Sequence, residues 1–129
     1  MKSKDILKIL LNLGGIVEIF IGVLFMFLDI FFEQMGLENI RIFTQMAGCF
    51  ILFYGILLIY STRDVKKYLI IPLVNILARI VMVILSLINI VEYPQFYIIL
   101  LFAIPYDLLW SLFVIISLKK EELIFQKNE

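Results

Sequence analysis

Residues 9–32 read ILLNLGGIVEIFIGVLFMFLDIFF, a run with only two ionisable side chains, Glu18 and Asp29. A hydrocarbon layer about 30 Å thick takes roughly 20 mainly apolar residues as an α-helix, so a run of this length is read as a membrane span. The pattern returns at 42–60, 68–91 and 96–118. Composition agrees: the chain has 129 residues, 64% of them hydrophobic and 17% charged, with a mean hydropathy of +1.09. A water-soluble domain this small could not hide so much apolar surface. The expected fold is therefore all-α, four transmembrane helices in an antiparallel up-down bundle, with residues 1–129 forming one domain. The connectors FEQMGLENIR, STRDVKK and EYPQ hold most of the loop-type residues.

Basic residues set the expected orientation. Lys2, Lys4 and Lys8 precede the first span, Arg63, Lys66 and Lys67 lie between the second and third, and Lys119, Lys120 and Lys127 follow the fourth. The other two connectors carry only Arg41, which predicts both termini and the middle loop in the cytoplasm, in a bacterial inner membrane. The opening resembles a signal peptide in its basic start, but it has no A-x-A-like cleavage site and reads as an uncleaved anchor. Formal net charge is zero, which argues against a nucleic-acid partner.

The chain has no histidine, which removes His-based zinc or haem ligation and any Ser-His or Cys-His nucleophile pair. Cys49 is the only cysteine, so no internal disulfide or C-x-x-C pair can form, and it reads as a small apolar filler. No metal and no cofactor are expected.

In an antiparallel hairpin, residues at equal depth have numbers with a constant sum. Gly15 with Gly55, Gly22 with Gly48, and Asp29 with Arg41 share one such sum. The glycines would let the first two helices approach closely, which is how helices associate in lipid. Asp29 and Arg41 would form a structural salt bridge at the outer interface. Glu18 lies three residues after Gly15 and four before Gly22, so it shares their face and points toward the second helix.

A second register pairs Arg79 with Asp107 about a turn centred on Tyr93. Counted from Lys8, Lys67 and Lys119 at about 1.5 Å per residue, Glu18, Arg79 and Asp107 all lie roughly 15–18 Å into the membrane. Each isolated charge at that depth costs at least about 2.5–3.5 kcal/mol, and such residues normally face the bundle interior and pair. A bidentate Arg79–Asp107 pair is expected, with donors left over for Glu18. Two carboxylates against one guanidinium leave a surplus negative charge, for which a protonated Glu18 or a bound cation would compensate.

Polar residues extend this centre. Asn75, Arg79, Met82, Ser86, Asn89 and Tyr93 recur at spacings of four and three on the third span. On the fourth, Asp107 and Ser111 share a face with Tyr97 near its edge, and Tyr106 and Trp110 stand beside it. Together they could line a small polar-to-aromatic cavity, while for Asn75, Ser86 and Asn89 the plainer reading, interhelical hydrogen bonds that only fix helix rotation, is the favoured one. Asn12 turns away from Glu18's side of the first helix. Pro105 removes a backbone donor inside the fourth span, and a kink there would free a carbonyl near Leu101. Pro72 and Pro94 lie near helix starts, where proline is ordinary.

The glycine-bearing first two spans, the connector STRDVKK and the closing stretch YDLLWSLFVI together resemble the DoxX-like group of small four-span membrane proteins. That resemblance implies a compact four-helix bundle, in a group where several members are linked to redox partners or lipophilic molecules. No functional residue is carried over from it. The glutamate within LGGIVEIFIG is also similar to that of small multidrug-resistance transporters, but Arg79 and Asp107 depart from their lone membrane acid.

The expected function is an integral membrane protein whose midplane set, Glu18, Arg79 and Asp107, binds or carries a small lipophilic molecule, cationic in one version, with Asn75, Tyr106 and Trp110 lining the place. The alternative is a non-catalytic accessory or assembly subunit in which the charged set is a structural lock. An enzyme on lipid substrates is the third reading, and it would have to rely on carboxylate acid–base chemistry alone. The expected partners are membrane lipid and a second copy of the chain or a larger membrane complex.

Overall fold

The computed structural model describes residues 3–34, 41–92, 94 and 97–124. Among them are five α-helices: α1 (Ser3–Met26), α2 (Leu28–Gln34), α3 (Arg41–Ser61), α4 (Ile70–Glu92) and α5 (Tyr97–Lys120). Among the described residues α1, α3, α4 and α5 are long and apolar enough to cross a membrane. The chain is an integral membrane protein, and the secondary structure of its described residues is helical. The middle of the FEQMGLENIR connector and Tyr93, on which the two hairpin turns were centred, lie outside the described residues.

The first span differs from its expected bounds. It ends at Met26 rather than running on to Phe32, and residues from Leu28 onward form the separate short helix α2. The change occurs at Phe27, whose N–H donates to the Leu24 carbonyl and whose carbonyl accepts from Ile30, both tight i,i+3 turns. Asp29 then falls in the first turn of α2, where a carboxylate suits the helix dipole.

Contacts divide the chain into two compact units: Met1–Leu10 with Asp64–Glu129, and Leu11–Arg63. In the Leu11–Arg63 unit, α1 meets α3 at its glycines. A Cβ built on Gly15 would lie 2.7 Å from the Gly55 carbonyl oxygen, and one on Gly22 would lie 2.7 Å from that of Gly48. Only glycine permits backbones this close. Toward the other end of the pair, Thr62 Oγ1 donates to Asn12 Oδ1 at 3.4 Å. Asn12 therefore has an interhelical role that its angular distance from Glu18 had hidden.

In the other unit α4 packs along α5. The buried residues of α4, Pro72, Asn75, Ile76, Arg79, Val83 and Ser86, recur at three- and four-residue spacing. Met82 is exposed instead, because Val83 takes the inward position. Asn89 bonds to the Leu85 carbonyl of its own helix at 2.7 Å rather than across to a neighbour. α5 continues through Pro105 as one helix. Its end carries a full Schellman closure: Leu123 N–H donates to Leu118 O at 3.1 Å and Glu122 N–H to Lys119 O at 3.0 Å, with Glu122 at φ 54°. In the STRDVKK connector, Asp64 Oδ1 accepts from the Lys67 N–H and its carbonyl from Tyr68, which holds the turn before α4.

Candidate functional site

The centre of the α4–α5 pair is a guanidinium in an apolar span. Asn75 and Arg79 are one helical turn apart on α4, and Arg79 Nε–H donates to Asn75 Oδ1 at 2.9 Å. Arg79 Nη1 donates to Asp107 Oδ1 at 2.5 Å, so the salt bridge joins α4 to α5. The expected bidentate pair thus takes another form: Nε goes to Asn75 and Asp107 is met through Nη1. This division fixes the guanidinium plane with two side chains on two helices.

Aromatic rings complete the setting. Arg79 Cζ lies 4.2 Å from the Trp110 ring centroid and 5.1 Å from that of Tyr106. The two rings are four residues apart on α5 and so stand in one row beside Asp107. A desolvated cation over such rings gains about 2 kcal/mol, which helps offset removal of Arg79 from water. The Arg79 side chain is only 7% exposed, whereas that of Asp107 keeps 18%. Trp110 and Ser111 are buried, and neither Trp110 Nε1 nor Ser111 Oγ has a hydrogen-bond partner among the described residues. Tyr97, at the start of α5, is exposed and stands apart from this buried face.

The Leu11–Arg63 unit holds its own acids. Glu18 is buried between Gly15 and Gly22 on α1, and it interacts electrostatically with Tyr54 of α3. Tyr54 is nearly level with Glu18 in the register that pairs Gly15 with Gly55, and that near match is the signal in the sequence that points to it. Asp29 Oδ2 lies 2.6 Å from Arg41 Nε; the Asp29 side chain is 3% exposed and that of Arg41 65%. One partner is thus inside the protein and the other at its surface. Cys49 borders an open apolar groove of about 490 Å³ with Met26, Phe27, Ile42, Gln45, Met46 and Phe50. Among the described residues, no three His, Cys, Asp or Glu side chains gather where they could hold a metal ion.

The Arg79 network can do two things chemically. It can hold α4 and α5 in one rotation, and it can present fixed donors and a carboxylate to a guest molecule. No protein-family model, curated protein or solved structure matches this chain.

Proposed function

We propose that the chain binds or carries a small lipophilic molecule within the membrane, with the Arg79–Asp107 centre receiving the polar part of that molecule and Asn75, Tyr106 and Trp110 shaping the place around it. The observation that carries this reading is the open edge of the centre. Asp107 retains 18% side-chain exposure beside a guanidinium that is nearly enclosed, so its carboxylate has an edge that a guest molecule could reach. Intramembrane ionisable residues of this kind mark pathways and binding places by default. Glu18, the buried acid of the Leu11–Arg63 unit, joins the proposal from the sequence alone, as an intramembrane ionisable residue with its own claim to a functional role. The basic clusters support cytoplasmic termini in a bacterial inner membrane. The DoxX-like resemblance supports a lipophilic guest in the same sense, as likeness alone.

A second reading has its own support. Asn75, Asp107, Tyr106 and Trp110 already engage Arg79, which suits a lock in an accessory subunit whose large outward apolar surface meets a larger complex. The test is extraction of the protein purified in lipid discs, with mass analysis of what comes away. A lipophilic molecule retained by the parent and lost from a folded Arg79→Leu/Asp107→Leu variant supports binding. Identical extracts from both overturn it and leave the lock. Glu18→Gln adds a second readout: retention that varies between roughly pH 5 and 9 in the parent and becomes flat in the variant assigns the acid to the site.

A further inference from the structure

Trp110 Nε1 and Ser111 Oγ stand out within the centre. Trp110 is 7% exposed and Ser111 4%, and both polar atoms lack a protein partner among the described residues. Buried polar groups are otherwise almost always hydrogen-bonded, because leaving one unmade costs its desolvation. The two residues follow Asp107 by three and four positions and so flank its face on α5, and the Trp110 ring stands 4.2 Å from Arg79 Cζ.

We propose that Trp110 Nε1–H and Ser111 Oγ–H form a docking point for a neutral hydrogen-bond-accepting oxygen, a carbonyl or ether, on the lipophilic guest; this rests on the binding reading above. The chemistry follows from what each group can do. An indole N–H only donates, and a serine hydroxyl donates readily, so the complement is an acceptor. A cationic head finds no welcome here, since Arg79 already occupies the Trp110 and Tyr106 rings. An anion would meet Asp107, whose carboxylate already balances Arg79. A neutral acceptor avoids both conflicts. The cationic version of the guest therefore does not suit this part of the site.

Trp110 is the only tryptophan in the chain, so its emission reports on this place alone. The protein in phosphatidylcholine discs is titrated with methyl decyl ketone, with dodecane, which lacks the oxygen, and with dodecyltrimethylammonium, a lipophilic cation. The expected result is a saturable red shift with the ketone, as a carbonyl takes the indole N–H, and none with dodecane. Ser111→Ala should weaken ketone binding about fivefold while leaving helical content unchanged, as the loss of one hydrogen bond predicts. Trp110→Phe keeps a ring over Arg79 and removes the N–H, so retention of radiolabelled ketone should fall in a protein that still folds. Equal shifts with dodecane and ketone would overturn the acceptor docking point and leave lipophilic binding standing, as would saturation by the cation alone. No saturable response to any of the three overturns both.

Discussion

Gly22 and Gly48 meet backbone to backbone: a Cβ on Gly22 would fall 2.5 Å from the Leu52 nitrogen, and a Cβ on Gly48 would fall 2.6 Å from the Gly22 carbonyl oxygen. Backbone atoms cannot swing aside as a side-chain end can. Gly22→Ala and Gly48→Ala should therefore each destabilise the α1–α3 contact by about 1–3 kcal/mol, the usual cost of overpacking. Alanine at exposed Leu13 serves as the neutral control. Unfolding midpoints in mild detergent measure the difference, and a Gly22→Ala midpoint equal to that of the parent would contradict the close approach.

Asp107→Ala should be more harmful than Asp107→Ala combined with Arg79→Leu. The single change leaves a guanidinium buried without its carboxylate, at a cost of about 3–5 kcal/mol, whereas the double change removes both charges. The yield of folded protein from membranes reads the order directly. Equal losses would mean that the two residues do not depend on each other.

Asp29 and Arg41 predict an asymmetry. Arg41→Ala strands a carboxylate that is almost fully buried, while Asp29→Ala leaves a guanidinium that is already mostly exposed. Arg41→Ala should lower the unfolding midpoint further than Asp29→Ala, and Asp29→Asn should recover part of the loss when added to Arg41→Ala. The reverse order would show that the pair is not what holds α2 to α3.

At the end of α5, Glu122 occupies a left-handed backbone conformation that glycine adopts freely and β-branched residues resist. Stability should rank Gly above Glu above Val at this position, with Glu122→Gly gaining about 0.5–1 kcal/mol. Thermal melts of the three proteins test the ranking, and a melt in which valine matches glycine would refute the Schellman closure.

The reach of the sequence differed between levels. Span number and the equal-depth pairs Gly15–Gly55, Gly22–Gly48 and Arg79–Asp107 are readable because an antiparallel hairpin has one free parameter, its register, and a few residues suffice to set it. The break at Phe27 is not readable. LFMFLDIFF contains no proline or glycine, and the turn shows only in three-dimensional placement. The division of Arg79 between Asn75 and Asp107 is half visible: the four-residue spacing brings Asn75 within reach, but the choice of Nε depends on side-chain rotamers. A spacing of three or four admits neighbouring positions, so the sequence does not distinguish Met82 from Val83, which packing places inward, nor show that Asn89 bonds back to Leu85.

The placement of Arg79 also constrains how the chain is made. Synthesis delivers α4 to the membrane before α5, so for a time Arg79 exists without Asp107, Tyr106 or Trp110. Its partner arrives only when the following helix has emerged. A nascent chain ending after Glu92 would carry a bare guanidinium into lipid, at the penalty known for such residues. Entry of α4 and α5 together, as a hairpin, would spare Arg79 that stage, because Asp107 would arrive with it.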